Sequence, residues 1–322
     1  MSRGSAKDAF GAEGRPGRGR SRTAPGVGVA LGVLAVGAWG VFQAAGPRPG
    51  ARAAAAPQTG DAVVAFVGVH VVPMDRERVL ENQTVVVVGD RIRTVGPAGR
   101  VRVPAGAARV DAAGGYLMPG LAEMHAHIPP REVSDAEAER LFTLFLANGI
   151  TTVRGMLGHP SHLALRDRVA RGELLGPRIY TSGPSLNGRS VPDPDSARAA
   201  VRHQKAAGYD FLKLHPGLRR DVFDAIADEA RRLGIPFAGH VSLDVGLARA
   251  LEAGYASIDH LDGYVEALIP ADAPVPSSAS QFFGLNLVAY ADTSRIDAWA
   301  RATAEAGVWN VPTMSLFTDF VS

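Results

Sequence analysis

From Tyr116 onward, short apolar runs alternate with helix-period stretches, and a glycine marks most of the returns. ITTVRGM, PRIYTSG, YDFLKLH, IPFAGHV and YASIDHLD are strand-like. Between them lie HLALRDRVARGEL, SARAAVRHQKAAG, RRDVFDAIADEARRLG and LDVGLARALEAG. Gly149, Gly208, Gly234, Gly254 and Gly307 each stand between a helix and the next strand, the αβ connection of a parallel sheet. Ser134 and Glu137 form a capping box before the first helix. Strands beginning near Leu117, Thr151, Arg178, Phe211, Phe237, Ser257 and Asn310 predict an α/β fold of the (β/α)8 TIM-barrel type, one strand short of closure. No Gly-x-Gly-x-x-Gly follows the first strand and no phosphate-binding Gly-x-x-x-x-Gly-Lys-Ser/Thr occurs, which removes the main signals of nucleotide-binding folds.

The chain before the alternation has two parts. Residues 61–115 are rich in β-branched runs with turn signals, Gly89-Asp90 among them, and predict a small partial β-sandwich. Residues 1–60 hold a basic tail with Arg15, Arg18, Arg20 and Arg22, then nineteen uncharged residues from Val27 to Ala45, then an Ala/Pro-rich linker. That apolar run is long enough for a bilayer core. It reads as a cleaved signal peptide, a transmembrane anchor or a buried helix. In the first two cases the folded part is exported, periplasmic or extracellular, and membrane contact is confined to residues 27–45.

The charge of the 322-residue chain divides along the same line. Residues 1–60 carry eight Lys/Arg against Asp8 and Glu13, and the remainder carries 26 against 30. The folded part therefore offers no compositional support for a nucleic-acid surface. With no cysteine, a disulfide scaffold, a thiolate metal site and a cysteine nucleophile are excluded.

Barrel chemistry sits at the C-terminal ends of strands. The first strand ends in His125 and His127, whose period-two spacing puts both imidazoles on one face. Lys213 lies in the fourth strand, opposite in direction to Leu212 and Leu214; the fifth ends at His240 and the sixth at His260. A lone His in a strand is usually structural, and Lys213 alone could snorkel out of the barrel mouth. Four histidines and a lysine gathered at strand ends point instead to a metal-centred hydrolase. Arg154 is a candidate for a substrate carboxylate or an internal ion pair. His215, sharing a face with Lys213, and the loop residues His159 and His162 are candidates for substrate contact or support. His70 and His203 read as structural, and SSASQFFGLN (277–286) as a lid or irregular packing.

MPGLAEMHAH resembles the first-strand signature of the metal-dependent amidohydrolase superfamily: Pro-Gly-Leu, two residues, then His-x-His. The resemblance runs from about Ala62 to the C-terminus, through GDRIRTVGP and ARVDAAGGYLMPG, and leans toward imidazolonepropionase-like and Xaa-Pro or Xaa-Arg dipeptidase-like members. It implies that His125 and His127 hold the more buried metal, that Lys213 is carboxylated by CO2 and bridges two metals, and that His240 and His260 hold the second. Zinc is the default ion, with Mn, Fe or Co compatible. The implied reaction is hydrolysis of a C–N bond in an amide, cyclic amide or dipeptide by a metal-activated water. A mononuclear deaminase-like enzyme, with Lys213 uncarboxylated and His240 serving one metal, is the alternative. Glu123 stands where the family usually has Asp. The family's general base is an Asp at the end of strand 8. This sequence stops at Ser322, and Asp319 follows strand 7 too closely to be that residue. Roughly 210 residues remain for a barrel that typically needs about 250. The expectation is a C-terminally truncated chain with unpaired edge strands and little or no activity of its own, a metal-holding fragment in the extreme case.

Overall fold

The computed structural model describes residues 62–276 and 283–321. The tail and the apolar segment 27–45 lie outside the described residues, as do positions 277–282 of the 277–286 segment. Among the described residues no helix is long and apolar enough to cross a membrane.

The N-terminal strands form one mixed sheet. β1 (Val63–Val71) pairs antiparallel with β2 (Leu80–Val88), which pairs antiparallel with β3 (Arg91–Pro97). Val88 faces Arg91, leaving Gly89-Asp90 as the two-residue turn that the sequence predicts. β4 (Ala108–Asp111) and β5 (Tyr116–Leu117) run parallel to β1. Phe66, Val69, Val85 and Val87 bury one face, whereas Ile92 and Val95 of β3 stay exposed. Among the described residues these five strands belong to a single sheet.

The strand expected near Leu117 is two strands. Tyr116–Leu117 belongs to the first sheet, and the next strand starts only at Leu121. Pro119, which has no N–H to give a ladder, breaks the run. Gly120 then packs so tightly on Thr151 that a Cβ would collide with it.

The alternation follows. β6 (Leu121–Ala126), α1 (Asp135–Ala147), β7 (Ile150–Gly155), α2 (Ser161–Ala170) and β8 (Arg178–Thr181) come first. Next are α3 (Pro194–Ala207), β9 (Leu212–Leu214), α4 (Arg220–Leu233), β10 (Phe237–Gly239), α5 (Gly246–Ala253) and β11 (Ser257–Asp259). After α6 (Tyr264–Leu268) and two 3-10 turns come α7 (Ile296–Glu305), β12 (Trp309–Val311) and α8 (Met314–Val321). Gly208, Gly234 and Gly254 cap α3, α4 and α5 as the sequence predicts. The capping box at α1 is only half made. Ser134 Oγ accepts from the Glu137 N–H, but the Glu137 carboxylate turns to Arg131 instead of back to Ser134.

Ladders join β6-β7-β8 and β9-β10-β11-β12, all parallel, and bridges at Ser182–Phe211 and Leu186–Leu214 carry the order across from β8 to β9. Seven strands thus stand side by side in chain order. Among the described residues β12 does not pair with β6. Burial follows position: every residue of β9, β10 and β11 is buried, while Leu121 of β6 is 51% exposed and Trp309 of β12 is 59% exposed.

Helices cover the central strands. The inward face of α4, including Phe223, Ile226 and Ala230, packs over β9–β11, and Phe223 stacks on Tyr255 with ring centres 5.8 Å apart. A second cluster joins Ala138 and Phe142 of α1 to Val153 and Ile179. Gly239 is the tightest point of β10. Its φ is +128°, and an added Cβ would fall against the Leu214 carbonyl oxygen and Lys213 Cδ. Gly239→Ala is therefore expected to cost about 2–3 kcal/mol, a fall of roughly 5–10 °C in thermal midpoint. Gly149→Ala, also at positive φ but with open space around the methyl, should cost only about 1 kcal/mol. Equal midpoints for the two variants would contradict this packing.

Candidate metal centre

β6 delivers the first pair of imidazoles. Glu123 Oε1 accepts the backbone N–H of His125 at 2.8 Å, so this glutamate braces the strand end rather than entering the site. His125 Nε2 and His127 Nε2 converge to 3.2 Å, with His127 on the exposed side. From there a run of imidazoles crosses the strand ends. His125 lies 4.5 Å from His260, His260 4.7 Å from His240, and His240 4.8 Å from His215, centre to centre. Phe283 lies tilted against His260 at 5.0 Å, stacks on His240 at 6.1 Å and meets Phe317 of α8 edge-on at 5.5 Å, placing aromatic rings against this end of the run.

Below the imidazoles sits a charged knot that the sequence reading did not find. Asp259, the last residue of β11, is fully buried. Its Oδ2 accepts from Lys213 Nζ at 2.8 Å and lies 3.1 Å from His125 Nδ1, out of line for a hydrogen bond. Its Oδ1 lies 3.4 Å from the Arg154 guanidinium. Ring nitrogens of His125 and His260 and an Asp259 oxygen all fall within 4.8 Å of one another.

Arg154 is not turned toward a substrate. Its Nε donates to the Met124 carbonyl at 2.9 Å, its guanidinium donates to Ser257 Oγ at 2.8 Å, and it covers the Phe211 ring. Its charge is used inside the barrel, tying β7 to β11. His159 is tied locally as well: its Nδ1 meets Ser161 Oγ at 2.9 Å at the start of α2. His162, fully buried, bonds the Pro129 carbonyl, and His70 takes the Asn82 N–H. His203 is exposed on α3, and Asp319 is exposed on α8.

Two further side chains outside the sequence-derived set touch the imidazoles. Asp262 Oδ2 is 2.6 Å from His240 Nδ1, and Thr313 Oγ1 is 2.7 Å from His260 Nδ1. Their only sequence signal was proximity: Asp262 is two residues past His260, and Thr313 follows β12.

Charge states follow from burial. Burial drives His240, His260 and His215 down to about 3, with neighbouring positive groups adding to it, so all three are neutral near pH 7. Burial also lowers Lys213 against the opposing pull of Asp259. Burial alone would raise Asp259, but His125, Lys213 and Arg154 outweigh it and hold the carboxyl below the usual range. Asp262, lacking such compensation, is pushed up to about 7 by burial. Clustered imidazoles are a donor set for a divalent cation, and a buried amine of lowered basicity is the form that reacts with CO2.

Comparison with known proteins agrees with this architecture. The amidohydrolase family model matches residues 116–280. Among curated relatives, an adenine deaminase of Chelativorans sp. (strain BNC1) is 30% identical over 211 residues, covering 59% of this chain and 33% of that protein. Adenine deaminase 2 of Bradyrhizobium sp. (strain ORS 278) is 35% identical, covering 60% and 34%. The chain thus spans about a third of the length of these relatives. Among solved structures, a Bifidobacterium longum protein assigned as a prolidase superposes with a TM-score of 0.59 at 25% identity, covering 78% of this chain and 74% of that one. A Xaa-Pro dipeptidase with bound methionine gives 0.58 at 20% identity, covering 79% and 67%, a likeness of fold. With the family model spanning the segment from β5 past β11, and His125, His127, Lys213, His240 and His260 all within it, the chain belongs to the amidohydrolase family.

Proposed function

We propose that these residues form the metal centre of a hydrolase that cleaves a C–N bond in a small amide, cyclic amide or dipeptide. The observation that carries the reading is the convergence of His125 Nε2 and His127 Nε2 at one end of an imidazole run over buried Lys213. His125 and His127 would hold one ion, His240 and His260 the other, and a carbamate on Lys213 would bridge them. Zinc suits this donor set, with Mn, Fe or Co compatible. A bound divalent ion supplies a nucleophilic hydroxide near neutral pH and polarises the scissile carbonyl.

The chain's own residues prepare this site. Arg154 and Ser257 hold Asp259, and Asp259 fixes Lys213 Nζ beneath the histidines. Carboxylation makes a new N–C bond between Nζ and CO2 and releases one proton from the amine. It requires Lys213 to leave Asp259 as a neutral amine, a state that burial favours. Phe283 and Phe317 place aromatic rings against the His240–His260 end.

A second reading, hydrolytic deamination at a single ion, is favoured by the adenine deaminase relatives and by the grouping of His125, Asp259 and His260 around an uncarboxylated Lys213. Metal content separates the two. Elemental analysis of the zinc-reconstituted chain should give about two ions per chain, falling to one or none in Lys213→Ala. One ion in the parent chain would favour deamination. A panel of dipeptides, cyclic amides and 6-aminopurines should show slow hydrolysis of an amide, lost in Lys213→Ala; turnover restricted to aminopurines, or no metal bound, would sink the amide reading.

The neutral imidazoles also set a pH dependence. In the folded chain His215, His240 and His260 titrate near 3, whereas unfolded histidine titrates near 6.5, so the unfolded state binds more protons between these values. Stability therefore falls as pH drops from about 6.5 toward 3, and depressed Asp259 adds to the loss at the acid end. Asp262, raised to about 7, acts in the opposite direction between about 4 and 7, one group against three. The chelator-treated protein should have a lower urea midpoint at pH 5 than at pH 7.5; a higher one would contradict the burial of these rings.

The apolar segment 27–45 carries the further proposal that the folded part acts outside the cytoplasm. Cell fractionation should find it in the periplasm, the medium or the membrane, and a wholly cytoplasmic product would refute export.

A further inference from the structure

The segment that carries His127 leaves the sheet just before that histidine. β6 ends at Ala126, whose carbonyl accepts the Met156 N–H at 2.8 Å, and His127 is the next residue, exposed beyond the ladder. Ile128 follows, buried, and then two prolines, Pro129 and Pro130. Proline fixes its own φ and restricts the residue before it, so residues 128–130 form a stiff extension of the strand. Whatever holds Pro129 therefore bears on His127, two residues back.

That hold comes from the first turn of α2. His162 has no exposed surface, and its Nε2 lies 2.9 Å from the Pro129 carbonyl. Its Nδ1 lies 3.2 Å from the His159 backbone nitrogen. Both partners act in one direction only: a peptide N–H donates and a proline carbonyl accepts. The ring must therefore accept at Nδ1 and donate at Nε2. A neutral imidazole does both, and an imidazolium, with a proton on each nitrogen, cannot. Burial favours the same neutral form by lowering the basicity of His162; His159 adds to this, while the Pro129 bond and Glu132 oppose it.

A ring with both nitrogens engaged and no exposed surface has nothing left for a substrate. Its bonds instead join the end of β6 to the start of α2. The same two segments meet again at the surface, where Ser161 Oγ donates to the Arg131 carbonyl at 3.3 Å and the Arg131 N–H turns back to the Pro129 carbonyl at 2.8 Å.

We propose that His162 is a positioning residue: its Nε2–H, aimed by the His159 amide at Nδ1, clamps the Pro129 carbonyl and so sets where the His127 imidazole stands, 3.2 Å from His125 between their Nε2 atoms. The inference rests on the metal-centre reading above and deepens it. β6 lies at the flank of the sheet, and a ligand beyond its end needs an anchor from another element. Groups that support a metal ligand from behind are worth about 10–100-fold in metal affinity, and one acting through two backbone residues belongs at the low end.

The test uses the full chain and three substitutions at one position. Glutamine can place its amide nitrogen where Nε2 stands and still donate to Pro129. Asparagine can place its oxygen where Nδ1 stands and accept the His159 N–H, but it falls short of Pro129. In the metal-free parent, long-range 1H–15N spectra should give His162 the Nε2–H form. The His127 ring signals should shift in His162→Ala and His162→Asn and return toward their parental positions in His162→Gln. Zinc affinity, measured by competition with a chromophoric chelator, should fall about tenfold in His162→Ala and His162→Asn and recover in His162→Gln. If His162→Ala does not fold, the glutamine and asparagine variants decide the question. A side chain that only fills space would leave zinc affinity and the His127 signals unchanged in every folded variant, and that result would overturn the proposal. So would an Nδ1–H or doubly protonated His162 in the parent, or recovery by asparagine in place of glutamine. A parent chain that binds no zinc would sink the metal-centre reading, and the His127 signals, which need no metal, would still decide whether His162 sets that ring. Zinc binding that follows this pattern in a chain that hydrolyses nothing would sink the hydrolase reading alone.

Discussion

A carboxylate with no exposed surface needs partners, and Asp259 organises the barrel interior around that need. Isolated in a low-dielectric core it would take up a proton; surrounded by Arg154, Lys213 and His125 it stays charged. The partners come from β7, β9 and β6, and Asp259 itself from β11, so one ionic knot spans the barrel from its first strand to its sixth. Removing Asp259 would leave the buried cations Arg154 and Lys213 without their carboxylate, which costs more than a surface ion pair could return. The knot also places the amine of Lys213 and the inner edge of His125 on a rigid base. The imidazole run stands on it.

Much of this was legible in the sequence. The alternation of both-side-buried strands with amphipathic helices, stopped by glycine, is a local pattern, and the strands found begin close to the expected positions from Thr151 onward. The error at Leu117 came from reading through Pro119-Gly120, where a tight approach to Thr151 ends one strand and begins another. The histidines were legible because strand ends are where barrels place chemistry. Asp259, Asp262 and Thr313 were not, because their roles arise from pairings 22 to 53 residues apart that local spacing does not encode. Asp259 looked like one more residue of SIDHL. Arg154 was left between two readings, and only the geometry shows its guanidinium inside the barrel, bonded to Met124 and Ser257.

The burial gradient across the sheet bears on how these residues are held. β9, β10 and β11 are enclosed on both faces, and they carry or immediately precede Lys213, His240, Asp259 and His260. β6, which leads to His125 and His127, stands at the flank where no described strand pairs with it, and β12 stands at the other. Precision is therefore greatest where the lysine and the second histidine pair sit. The first pair depends more on local ties: the Glu123 carboxylate on the His125 amide, and the Asp259 contact at Nδ1. Glu123 fills a bracing role for which a longer side chain than Asp is no handicap, since its oxygen reaches the amide two residues on at 2.8 Å.

Under the proposed function the same Asp259 would link the number of metals to the state of Lys213. While the amine is an ammonium bonded to Asp259, the carboxylate is neutralised, and the cation-binding groups within reach of one another are His125, His260 and Asp259 itself. A carbamate on Lys213 would replace a positive charge near Asp259 with a negative one, and two negative groups close together in a buried site would repel unless cations intervened. One ion would relieve part of that repulsion and two would relieve more, so under the proposed function carbamate formation and a second metal would favour each other. Arg154 tempers the effect by holding the other oxygen of Asp259. Under the proposed function, the choice between one metal and two would thus be set beneath the histidines, by which partner the lysine nitrogen takes.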